Sequence, residues 1–148
     1  MLHRFSPHVR QQVERAVIVL RQGGIVAYPT DTVYGLGAGM SIPRAVKRVF
    51  QAKQRPQDMA LPLLVANASQ IAELAGQVPP VARRLIDSFL PGALTIVLPA
   101  SRAVPDIVTA GGNTVAVRIP DHPVPIALIE GIGTGWSGIR TALSLIHI

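Results

Sequence analysis

Cysteine is absent from the 148 residues, which removes disulfides, thiolate nucleophiles and thiolate metal sites together. A reducing cytoplasm agrees with that absence, and the cytoplasm is the expected location. Lysine is scarce, with only Lys47 and Lys53 standing against twelve arginines. Aromatic residues make up only 4% of the chain, too few for the rows of rings on which single-stranded nucleic acids stack. No apolar run reaches the ~18 residues that a membrane span needs, and residues 1–7 contain no signal-peptide apolar core. A membrane partner is not expected. His3, His8, His122 and His147 stand apart from one another, so zinc spacing is missing and no protein metal site is expected. Phosphate loops of the Gly-x-x-x-x-Gly-Lys type are missing, as is Gly-x-Gly-x-x-Gly after a strand. Any nucleotide must be held another way. With no serine in a nucleophile elbow, the common acyl-enzyme arrangements are excluded as well.

What is present is a globular chain of one domain's length. Hydrophobic residues at 49% beside 15% charged exclude disorder, and the length suffices for a single core. A formal charge of +6 would suit a phosphate-rich partner. The arginines are scattered, however, and only Arg83 and Arg84 are adjacent. Solvated surface arginines explain them equally well.

Residues 23–37 organise the chain. Residues 25–28 have the length and β-branched content of a buried strand. The run breaks at Pro29 into Thr30-Asp31-Thr32, which puts hydroxyls and a carboxylate at the strand's carboxyl end. Open α/β sheets bind ligands there. For Asp31 alone an Asx-type turn is the plainer reading. Gly35 and Gly37 offer a backward turn or a close approach to a ligand. Upstream, Ser6-Pro7 caps a helix over roughly residues 8–22, with Val9, Val13, Ala16, Val17 and Leu20 on its apolar face and Gly23 as its stop. Downstream, Ser41 caps a second helix with Ala45, Val46, Val49 and Phe50 facing inward. In Lys53-Gln54-Arg55-Pro56, the proline biases Arg55 toward an extended backbone. Alternation would then present Lys53 and Arg55 on one side. Interaction with the helix dipole explains either cation alone.

Residues 61–66 read as a buried strand, with Pro62 at an edge or a strand start. A short helix after Asn67 and another from Pro79 or Pro80 to about Phe89 follow. Residues 93–98 read as a strand and 101–113 as loop-rich. Over residues 114–120, alternation sets Val115, Val117 and Ile119 on one face, with Thr114, Ala116 and Arg118 on the other. An arginine in such a strand needs an anion or hydrogen-bond partners. A ligand anion, a salt bridge to Asp31 or Asp121, and an exposed sheet face all remain open. Residues 123–129 read as a last helix stopped near Gly131. His122 reads as a loop residue, and Trp136 as packing.

Three segments recur in a set order: Pro29-Thr30-Asp31-Thr32-Val33-Tyr34-Gly35-Leu36-Gly37, then Lys53-Gln54-Arg55-Pro56 with Leu61-Pro62-Leu63-Leu64-Val65, then Thr114-Val115-Ala116-Val117-Arg118-Ile119-Pro120. Together they resemble the YrdC-type threonylcarbamoyl-AMP synthase family, over about residues 8–132. Phe89-Leu90-Pro91-Gly92-Ala93-Leu94-Thr95 resembles a fourth segment of that family. The resemblance implies an α/β fold with a single twisted, mixed sheet and flanking helices around a concave basic cavity (YrdC/RibB-like). It implies an L-threonylcarbamoyladenylate synthase, a nucleotidyltransferase. Such an enzyme condenses L-threonine, bicarbonate and ATP and releases pyrophosphate. Its product feeds the threonylcarbamoylation of tRNA adenosine 37, carried out with other proteins. By resemblance, Lys53 and Arg55 are catalytic and clamp the ATP phosphates, Thr32 and Arg118 hold threonine, and Thr114 lies near the nucleotide. Mg2+ is expected with ATP. Thr32, Lys53, Arg55 and Arg118 should then line one cavity.

One departure concerns the tail. The family carries a Ser-x-Asn motif after the last helix, and residues 135–148 hold none. The reading is a YrdC-like domain over 1–134, incomplete at its C-terminus, and a non-native or frame-shifted tail over 135–148. That tail is expected to pack poorly, and loss of the motif to leave weak ATP binding with little turnover. An RNA-binding module of the same fold is the alternative function, favoured by the +6 charge and disfavoured by the scarce aromatics. A YrdC-like module of a larger carbamoyltransferase is a third.

Overall fold

The computed structural model describes residues 2–133 and, as backbone, 143–147. A 3-10 turn over Leu2–Arg4 leads into α1 (Pro7–Arg21), where Ser6 accepts the Val9 N–H at 3.4 Å and Pro7 starts the helix. Gly23 follows at φ 83°, so the expected cap and stop both hold. Next come β1 (Val26–Tyr28), β2 (Gly35–Gly39) and α2 (Pro43–Ala52). The middle of the chain gives β3 (Leu63–Leu64), α3 (Ala68–Leu74), α4 (Pro80–Phe89) and β4 (Ile96–Pro99). Then follow α5 (Asp106–Thr109), β5 (Thr114–Arg118), α6 (Pro123–Gly133) and β6 (Leu143–His147).

The strands form one mixed sheet in the order β1-β2-β6-β3-β5-β4, in which β3 and β5 run parallel and every other neighbour pair is antiparallel. Its two faces are covered differently. Leu63, Val65, Ile96, Leu98, Val115 and Val117 pack against α2, α3, α4 and α5 through residues such as Val49, Phe50, Ile71, Ile86 and Val108. The other face carries Tyr28 and Leu64, covered by α1 and α6 through Val13, Leu20, Leu128 and Ile132. Each such apolar side chain, fully buried, is worth about 1.5–3 kcal/mol. Together they fix which faces meet. No helix of the described residues is long and apolar enough to cross a membrane.

Several expectations need correction. β1 lies at the sheet edge with β2 as its one neighbour, and only Tyr28 in it is buried, so it is not a fully buried strand. Gly35 and Gly37 turn nothing; both pair within β2. Ser41 does not cap α2, because Ile42 holds the N-cap with no side-chain bond and Pro43 opens the helix. Pro62 precedes β3, the strand-start alternative. The loop-rich stretch 101–113 also holds the short α5. Leu143–His147 pairs with β2 and β3, where no strand was expected. The expectations for Trp136 and the rest of the 135–148 tail lie outside the described residues.

A close crossing of α1 and α6 gives a stability test. A Cβ on Gly131 would lie 2.6 Å from Val17 Cγ2, and Arg21 Nη2 donates to the Gly131 carbonyl at 2.6 Å. Alanine gains about 1 kcal/mol over glycine inside a helix, while overpacking costs about 1–3 kcal/mol. Overpacking should win. Gly131→Ala is expected to lower the urea midpoint, and adding Val17→Ala to restore it. A Gly131→Ala protein more stable than wild type would contradict this packing.

Candidate active site

Arg118 ends β5, and the alternation that buries Val115 and Val117 in one core turns Arg118 to the opposite face. There it is 4% exposed, and a charge so buried must be compensated. Its guanidinium donates from Nε to the Gly92 carbonyl at 2.8 Å and from Nη1 to Thr32 Oγ1 at 3.2 Å. Nη2 forms an ion pair with the Asp31 carboxylate. Of the possibilities left open by the sequence, the salt bridge to Asp31 is the one formed. Guanidinium carries five N–H donors, so the terminal nitrogens keep capacity for another acceptor.

The partners are held from both sides. Thr30 Oγ1 accepts the Thr32 N–H at 3.2 Å and donates to the Val33 carbonyl, a hydroxyl turn that fixes the loop between β1 and β2. Asp31 is an exposed residue whose side chain tucks against Arg118 and keeps 17% exposure. On the other side, the Gly92 N–H donates to the Ile119 carbonyl at 2.9 Å. A Cβ at Gly92 would lie 2.5 Å from the Phe89 carbonyl oxygen. Only glycine fits there. Thr30, Asp31 and Gly92 are the contributors that sequence reasoning did not assign to the site. The signal for Asp31 was the open option of a salt bridge to Arg118; Gly92 was marked only by the fourth family-like segment, because its role is a backbone carbonyl.

The face that carries Arg118 is open at its β4–β5 end. Val97 pairs with Ala116 and is 63% exposed, and Thr114 at the start of β5 is exposed. Thr114 lies four residues, about 13 Å, along the strand from Arg118. Lys53 and Arg55 sit on the turn that ends α2, and that turn is not extended. The Arg55 N–H donates to the Phe50 carbonyl at 2.9 Å and the Gln54 N–H to the Gln51 carbonyl at 3.1 Å, with Gln54 at φ 50°. This is the six-to-one, five-to-two pattern of a Schellman end, and the left-handed Gln54 breaks the extended alternation that would have set Lys53 and Arg55 on one side. Arg55 Nη2 donates to the Ala60 carbonyl at 2.7 Å, while Lys53 is half-buried. No described hydrogen bond joins either cation to Thr32 or Arg118.

Tyr28, at the end of β1, is buried, with its hydroxyl unpartnered among the described residues. Burial raises its pKa and the Arg118 charge lowers it in part, so the hydroxyl stays protonated. His122 Nδ1 accepts the Val124 N–H at 3.1 Å at the start of α6. No cluster of three or more His, Cys, Asp or Glu residues able to hold a metal occurs among the described residues.

Comparison with known proteins gives the family. The Sua5_yciO_yrdC family model, described as Telomere recombination, matches residues 18–139. A threonylcarbamoyl-AMP synthase of Bacillus subtilis (strain 168) is 46% identical over 123 residues, covering 82% of this chain and 36% of that protein. One from Pyrococcus abyssi is 45% identical over 128 residues, 83% of this chain and 38% of that protein. The chain spans little more than a third of those relatives' length. Among solved structures, P. abyssi Sua5 complexed with L-threonine superposes with a TM-score of 0.84 at 40% identity, over 92% of this chain and 38% of that one. A family match across most of the chain, on the same mixed sheet, shows that the protein belongs to the Sua5/YciO/YrdC family.

Proposed function

We propose that this site serves the ATP-dependent formation of threonylcarbamoyl-AMP from L-threonine and bicarbonate, with release of pyrophosphate. The observation that supports it most is a buried guanidinium, flanked by the Thr32 hydroxyl on an open sheet face. Relatives carry the name threonylcarbamoyl-AMP synthase, and a similar structure holds L-threonine. In this reading Arg118 and Thr32 receive threonine, with charge-assisted bonds to its carboxylate. Lys53 and Arg55 attract the ATP phosphates, and Thr114 borders the nucleotide. Lys53 suits that role as a half-buried cation. Adenylation asks the protein to position an attacking carboxylate and to neutralise phosphate charge, not to supply a nucleophile. Mg2+ would enter with ATP, held chiefly by phosphate oxygens and water. The product would pass to the proteins that modify adenosine 37 of tRNA, in the cytoplasm.

The test is pyrophosphate release by the purified chain, followed at high enzyme concentration so that even the little turnover expected without the Ser-x-Asn segment is read. Release should require threonine and bicarbonate together. Arg118→Lys removes the planar fork and should raise the threonine concentration for half-maximal rate by about tenfold or more, ~1.4 kcal/mol of lost binding. Lys53→Ala should raise that for ATP and leave that for threonine unchanged. Threonine-independent release would contradict the substrate, and an Arg118→Lys protein with unaltered threonine dependence would contradict the site.

A further inference from the structure

The ion pair on which the site is built has a chemical use beyond holding a loop. We propose that Asp31 and Arg118 together form a receptor for the two charges of a zwitterionic α-amino acid, Arg118 taking the carboxylate and Asp31 the α-ammonium. The inference rests on the reading of threonine as substrate and deepens it. It adds Asp31 as the residue that selects a free amine.

Three features carry it. First, the two charges differ in how they are anchored. Arg118 is fixed by β5, by the Gly92 carbonyl and by Thr32, and those contacts survive if Asp31 turns away. Asp31 sits on an exposed loop, held to Arg118 through a side chain 17% exposed. The pair can therefore open on the Asp31 side with little disturbance behind it. Second, Asp31 is the only carboxylate paired with Arg118 in the described structure, so it occupies the position that a ligand carboxylate would seek. Third, charge neutrality constrains what can enter. A ligand bearing only a carboxylate would face Asp31 as a like charge. A ligand bearing only an ammonium would draw Asp31 away and leave Arg118 buried without a counter-charge. A zwitterion meets both demands, and each protein charge exchanges one partner for another of the same sign.

Selectivity then depends on the number and sign of charges, not on size alone. Thr30 keeps the geometry by fixing the turn on which Asp31 and Thr32 stand. Asp31→Asn preserves shape and removes the charge. Asp31→Glu keeps the charge on a longer arm.

The experiment is calorimetric titration of the full chain with L-threonine, N-acetyl-L-threonine and L-threonine methyl ester. Wild type should bind L-threonine more tightly than either singly charged analogue. In Asp31→Asn, L-threonine should weaken while N-acetyl-L-threonine strengthens, so that the preference between them falls by at least tenfold. Asp31→Glu should retain most of that preference. If Asp31→Asn weakens both ligands by the same factor, Asp31 merely holds Arg118 and the inference is overturned, while threonine binding by wild type leaves the proposed reaction standing. If wild type prefers N-acetyl-L-threonine or does not distinguish the two, the inference is likewise overturned. If wild type binds no L-threonine, both it and the proposed substrate fall.

Discussion

A guanidinium that is almost wholly buried tolerates few arrangements around it, and Arg118 imposes that constraint on this fold. It draws one loop from the β1–β2 connection and another from the end of α4, and both must meet the last residue of β5. Removing one partner of a buried ion pair commonly costs 3–5 kcal/mol because the remaining charge stays desolvated. Gly92 satisfies Nε with a carbonyl, and its position leaves no room for a side chain. Thr30 satisfies the backbone of the loop that brings Asp31 and Thr32. Local turn chemistry and strand alternation thus converge on one side chain.

The same donor chemistry accounts for a compositional oddity. Arginine outnumbers lysine heavily, yet the arginines do not cluster in sequence. Arg10, Arg21, Arg44, Arg48, Arg55 and Arg118 each donate to a backbone carbonyl. Several of these carbonyls stand near helix ends or turns, where intrahelical donors run out. A planar fork with several N–H groups suits that bracing better than a single ammonium does. These arginines thus have structural work within the fold, so their number alone does not point to nucleic acid.

Long periodic elements were legible from sequence. The four-residue inward face of α2, the short helix after Asn67 and the proline-started α4 stand where read, because periodicity and proline starts act locally. Strands were harder. Residues 61–66 shrink to the two residues of β3, since pairing depends on a partner strand that local sequence does not reveal. The turn at Lys53 to Arg55 misled for a clear reason: a Schellman end normally announces itself with glycine, and here Gln54 adopts the left-handed conformation. At the site, the alternation of β5 correctly isolated Arg118, and the loop motif supplied Thr32. The pairing of Asp31 with Arg118 was one of several options until the fold closed the distance, and the Gly92 segment was legible only as a resemblance, because a backbone carbonyl leaves no side-chain signal.

The claim that most depends on this geometry is that Asp31 and Arg118 act as one unit. A double-mutant cycle on the free energy of unfolding, with Asp31→Asn, Arg118→Met and the combination, measures it directly. The expected result is a coupling energy of about 0.5–3 kcal/mol, the range for residues in one ion-pair network, with the double variant less destabilised than the sum of the singles. Additivity within about 0.3–0.5 kcal/mol, the behaviour of independent sites, would contradict it.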